Sequence, residues 1–174
     1  MTENQEAYVK DIPTSADQLI ACLEELGIKS ETIDHAPVYT VAEAQQLRGS
    51  LPGSHIKNLF LRNKKEEMWL VVVDENKRVD LKKLGEKLHA GKLSFGSPDR
   101  LMKYLGVLPG AVTPFAIIND KDGGVRIAVD EDLKSHERIN AHPLVNDKTT
   151  NLAFGDLVSF LEKHGHKPLF LTIE

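Results

Sequence analysis

Apolar residues along this chain change period several times, and the changes mark its elements. Leu19, Ile20, Leu23 and Leu26 recur at helical spacing behind Pro13-Thr14-Ser15, and Gly27 stops them, which predicts a first helix. Residues 30–34 predict a short strand. Residues 35–47, HAPVYTVAEAQQL, read as a proline-containing loop and then a helix capped by Thr40, with Glu43 three residues later completing a capping box. Residues 56–62 and 68–74 predict two apolar strands joined by a polar turn at 63–67. VDLKKLGEKLHAG predicts an amphipathic helix with Leu81, Leu84 and Leu88 inward and its lysines outward. SPDRLMKYLG predicts a second short helix, with Ser97 or Asp99 at its start and Gly106 after it. VLPGAVTP reads as a loop, residues 115–119 as a strand, and DKDGG as a hairpin turn into a strand over 125–129. INAHPLVNDKTTNLAF predicts two short strands around a polar loop, followed by a helix over 155–164 and a last strand over 168–173.

Interleaved helices and hairpins predict a mixed α+β fold of the α/β type: a mixed, largely antiparallel sheet or barrel surrounded by helices. No repeat, low-complexity stretch or linker divides the chain, so residues 13–174 are expected to form one domain behind a flexible tail, residues 1–12. A length of 174 residues supports one hydrophobic core.

Composition narrows the setting. With 41% hydrophobic and 28% charged residues the chain is globular rather than disordered. The single Cys22 excludes an internal disulfide framework and favours a reducing, cytoplasmic compartment; its place on or beside the Leu19 stripe reads as a small core thiol. Residues 1–10 lack the apolar stretch of a signal peptide, and no apolar run is long enough to span a bilayer. The net charge of -4 argues against a general nucleic-acid binder, but residues 77–104 hold eight basic side chains against three acidic ones. That basic zone is either a solvated helix face or a local contact for a polyanion.

Familiar catalytic motifs are absent. No glycine-rich nucleotide loop, serine elbow or His-Glu-x-x-His is present, and the His164-x-His166 pair has no accompanying ligands. Three segments fit packing poorly. Lys57 lies two residues from Leu59 in a strand, on the apolar face, where it either snorkels past the sheet edge or points into a cleft. The segment 106–114, GVLPGAVTP, has glycines and few bulky side chains, so its N–H groups can approach a ligand. His142 precedes Pro143 and is held extended.

Four blocks, HAPVYTVAEA, IKNLFLRNKK, LGVLPGAVTPFAIIND and INAHPLVNDKTTNLAF, resemble in order those of the YbaK-type aminoacyl-tRNA deacylases. This is the family of the editing domain inserted in bacterial prolyl-tRNA synthetases. The likeness is greatest to the free-standing PrdX or ProXp-type branch, which acts on Ala-tRNA(Pro). The resemblance implies a catalytic set of Lys57, Gly110 and His142. It implies a substrate-binding set of Asn58, the loop residues Ala111, Val112, Thr113 and Pro114, and Thr40 and Ser97 from matching blocks. An aminoacyl ester is already activated, so neither a cofactor nor a metal is expected. The enzyme has to place a water, stabilise the oxyanion and hold the strand. Lys57 then suits an oxygen of the tRNA end, and His142 the aminoacyl pocket or its amine.

The same resemblance implies a mischarged tRNA as partner. Recognition of the tRNA body is left to this domain, expected as a monomer, or to a partner such as prolyl-tRNA synthetase. Lys82, Lys83, Lys87 and Lys92 are candidates for following the acceptor stem. Cys-tRNA(Pro), Ser-tRNA, Ala-tRNA on another acceptor, or non-catalytic binding of tRNA or synthetase remain alternatives. An aromatic content of 6% does not point to extensive base stacking.

Overall fold

Helix α1 (Ala16–Glu25) starts where the sequence places its cap. Ser15 Oγ accepts from the Gln18 N–H, and Gln18 Oε1 accepts from the Ser15 N–H, a closed capping box. Gly27 ends it at φ +73. The computed structural model describes Val9, residues 11–37, Thr40, Ala42 and residues 51–174. The expected tail therefore falls almost wholly outside the described residues. So do Glu43 and the rest of the helix expected after Thr40.

Eight described strands follow: β1 (Ser30–Asp34), β2 (Ser54–Arg62), β3 (Met68–Asp74), β4 (Ser94–Phe95), β5 (Val125–Asp130), β6 (Arg138–Ala141), β7 (Lys148–Ala153) and β8 (Leu169–Leu171). They join in the order β1-β7-β6-β2-β3-β5-β8, with β4 on β2. The β1/β7, β6/β7, β2/β3 and β2/β4 pairs are antiparallel. The β2/β6, β3/β5 and β5/β8 pairs are parallel. The expected mixed sheet is present.

Helices cover both faces, which is why β3 is apolar at nearly every position. On one face Phe60, Leu70 and Val72 pack with α1, with α3 (Pro98–Leu105) and with α4 (Phe154–Lys163). On the other, Leu61, Trp69, Val71 and Val73 pack with Leu84 and Leu88 of the α2 region (Leu81–Lys87).

One expected strand is not a strand. Pro114–Asn119 is a 3₁₀ helix with Pro at its start and the Thr113 side chain accepting from the Phe115 N–H. A short buried apolar run has no period to separate strand from helical turn, and the cap and proline decide it. The hairpin expected at DKDGG is accordingly not formed. Asp120 instead accepts from the Gly124 and Val125 N–H groups and starts β5, which runs parallel to β3 and β8. The β6/β7 pair supplies the second hairpin.

The His164-x-His166 pair is structural. His166 is hydrogen-bonded through Nε2 to buried Asp120 at 2.8 Å and through Nδ1 to the His164 carbonyl at 2.9 Å. Among the described residues, no three His, Cys, Asp or Glu side chains gather as a metal site, and no helix is long and apolar enough to cross a membrane.

Candidate active site

Strand β2 presents its two faces to different surroundings. Lys57 pairs with Val73 and Asn58 with Val72, and those valines belong to the two opposite core clusters. Lys57 thus shares its face with Leu59 and Leu61, as the alternation predicts. Asn58 faces the other way, toward the loop before the 3₁₀ helix, where its Nδ2 donates to the Val112 carbonyl at 3.2 Å. Its Oδ1 is buried and has no hydrogen-bond partner among the described residues. A buried orphan acceptor is costly unless a ligand completes it. The loop is therefore tied to β2 through Asn58.

The loop itself is a firm turn. Gly110 is exposed at φ +89, a conformation that glycine permits. The Ala111 N–H donates to the Leu108 carbonyl and the Phe115 N–H to Thr113 Oγ1. The N–H groups of Gly110, Val112 and Thr113 are not spent on those turns. Ala111, Thr113 and Pro114 are buried, and Val112 between them is partly exposed.

His142 follows directly on the end of β6. The parallel β2/β6 pair sets His55 beside Asn140. Lys57 lies two residues beyond His55 on β2, after the last β2/β6 pair. The partly buried His142 donates from Nδ1 to the Lys148 carbonyl at 2.9 Å, so in the neutral ring Nε2 is the acceptor. Burial pushes its imidazole below the usual histidine range, and neighbouring His35 adds to this. The Lys148 carbonyl and Asp147 pull the other way.

A depressed folded pKa means the unfolded chain takes up this proton first. The contribution of His142 is complete above the unfolded value of 6.5 and is lost as pH falls through the folded pKa. Urea unfolding at pH 7.5 and 5.5 is expected to show a larger acid loss for the wild type than for His142→Gln. Equal losses would contradict the neutral assignment.

Four residues outside the expected set hold these parts together. His35 has its ring centroid 6.2 Å from that of His142. It donates from Nδ1 to the Ala36 carbonyl and accepts at Nε2 from Thr149 Oγ1, and its backbone N–H donates to Asp147 O. Asn140 and Asn151, 3% and 2% exposed, both donate to the Pro52 carbonyl, just ahead of β2. Asn151 also donates to Asn140 Oδ1 at 2.8 Å. Gly53 sits at φ +92 against Arg138. Only the Pro52-Gly53 pair carried a local signal, that of a turn. The asparagines are legible only once β6 and β7 are paired.

The remaining expected residues are placed as follows. The Ser97 hydroxyl accepts from the Arg100 N–H at 3.2 Å and caps α3. Thr40 is exposed. Lys87 donates to the Thr172 carbonyl, and Lys83 lies 3.8 Å from the Glu174 carboxylate. Lys82 and Lys92 are exposed beside an apolar groove of about 840 Å³ along α2.

Residues 35–160 match the family described as the aminoacyl-tRNA editing domain. The prolyl-tRNA editing protein ProX of Acetoanaerobium sticklandii is 39% identical over 149 residues, covering 85% of this chain and 91% of that protein. The prolyl-tRNA synthetase associated domain-containing protein 1 of Xenopus laevis is 35% identical over 162 residues, covering 90% and 96%. A solved structure described as a candidate trans-editing enzyme for prolyl tRNA synthetase has a TM-score of 0.68, covering 92% of this chain and 99% of that one. At 20% identity that likeness is one of fold.

Proposed function

The chain belongs to the aminoacyl-tRNA editing domain family, and we propose that its reaction is the hydrolysis of alanine from mischarged Ala-tRNA(Pro). As a family member it is an aminoacyl-tRNA deacylase, and its relatives place its work on mischarged tRNA(Pro), in trans. The observation that carries the reading is the family match over residues 35–160, which contains Lys57, Asn58, Gly110–Pro114 and His142 together.

Water attacks the ester carbonyl, and the carbonyl oxygen becomes an oxyanion. The terminal ribose oxygen then leaves with a proton, freeing alanine and the tRNA end. N–H groups of the 110–113 turn suit the oxyanion, and the Lys57 ammonium suits an oxygen of the terminal nucleotide or the ester. His142 Nε2, an acceptor in the neutral ring, suits the α-amino group. The Asn58 Oδ1 offers a second acceptor beside Val112. No protein nucleophile is needed, because the ester is already activated.

Selectivity follows from size. A synthetase site built for proline cannot strongly reject the smaller alanine, since each missing methylene is worth only about 1–3 kcal/mol. An editing pocket walled by Val112 and its neighbours admits alanine and turns proline away. Purified protein is expected to release alanine from Ala-tRNA(Pro) and to spare Pro-tRNA(Pro). A panel that adds Cys-tRNA(Pro), Ser-tRNA and Ala-tRNA(Ala) tests the choice. Preferential release from one of these would move the substrate, and tRNA binding without release from any would make the chain a binding module.

A further inference from the structure

Phe95 is 62% exposed, the highest value for a large apolar side chain among the described residues. A single exposed phenyl ring is ordinary on a protein surface. This one, however, is held on an ordered backbone from three sides. Strand β4 pairs Phe95 with Leu61 and Ser94 with Arg62. The Gly96 N–H donates to the Phe60 carbonyl at 2.9 Å. The backbone at Gly96 lies so close to Phe60 that a Cβ there would sit 2.4 Å from its ring. Ser97 then caps α3. The chain cannot turn Phe95 inward without breaking these contacts.

Lys92 is exposed three residues earlier. Arg62 and Arg100 share the Glu66 carboxylate on the opposite face of β2 from Leu61. The position relative to the candidate site is also set. Leu61, the partner of Phe95, lies on the same strand face as Lys57 and four residues away, about 13 Å along β2. A polynucleotide whose last nucleoside sits at Lys57 has its preceding bases within reach of the ring.

We infer that Phe95, with Lys92 three residues before it, is a stacking platform for an unpaired base of the tRNA 3′ end, upstream of the terminal nucleoside. The inference rests on the proposed function. An aromatic face with cations beside it is the chemistry that holds single-stranded nucleic acid without reading its sequence. One platform is compatible with the low aromatic content of the chain.

The test compares wild type, Phe95→Ala and Phe95→Trp on Ala-tRNA(Pro) and on alanyl-adenosine, which lacks the preceding bases. Phe95→Ala is expected to raise KM for Ala-tRNA(Pro) about tenfold, with kcat nearly unchanged and hydrolysis of alanyl-adenosine unaffected. Phe95→Trp is expected to match the wild type. Phe95→Ala within twofold of wild type on the tRNA overturns the inference, as does an equal loss on both substrates. A wild type that hydrolyses neither ester removes the functional reading instead. The surface is then judged by anisotropy of 5′-labelled uncharged tRNA(Pro), where about tenfold weaker binding by Phe95→Ala supports it and equal binding overturns it.

Discussion

Lys57→Ala is expected to lower kcat/KM on Ala-tRNA(Pro) by about 100- to 1,000-fold, the cost typical of removing one transition-state electrostatic contact. The protein is expected to stay folded. Lys57 is only partly buried, and an alanine keeps both the β2 backbone and its pairing with Val73. What disappears is the ammonium on the face shared with Leu59 and Leu61. Lys57→Arg retains the charge but replaces a compact ammonium by a planar fork, so partial activity is expected. Single-turnover deacylation and thermal unfolding, run on the same preparations, separate chemistry from folding. Undiminished hydrolysis by Lys57→Ala would take the lysine out of the mechanism.

Gly53→Ala is expected to damage both stability and activity. At φ +92 an alanine is strained, which costs about 1–2 kcal/mol. Its Cβ would also sit 2.2 Å from the Arg138 carbonyl oxygen, which is strand backbone and cannot swing aside. Forcing that contact adds about 1–3 kcal/mol. A chain of this size then loses roughly 10 °C in midpoint temperature. The strain falls on the β2/β6 junction just ahead of Lys57, so the folded fraction is expected to lose activity as well. Gly27→Ala is the control, because Gly27 is also left-handed, at φ +73, but has nothing within 4 Å of its would-be Cβ. Equal destabilisation by the two substitutions would show that the clash with β6 contributes nothing.

Local chemistry made much of this legible in advance. Ser15 and Ser97 announced their caps, Gly27 and Gly106 their helix ends, and the alternation through residues 56–62 put Lys57 on an apolar face, as the structure has it. Residues 115–119 failed because Pro114 and Thr113 act against the strand reading, and a buried run has no polar face to reveal its period. The two-residue strand β4 is too short for any pattern, and so the exposure of Phe95 could not be foreseen.

The sequence by itself determined the helices with their caps, the main strands and their faces, and through the four blocks the family. Each of these depends on neighbours within a turn or a strand. Only the tertiary structure decided that Asn58 meets the 110–114 loop. It also decided that Asn140 and Asn151 grip Pro52 from 88 and 99 residues away, and that His35 stands beside His142. Those contacts follow from which strands pair and in what register, and a local period specifies a face without specifying the partner that covers it.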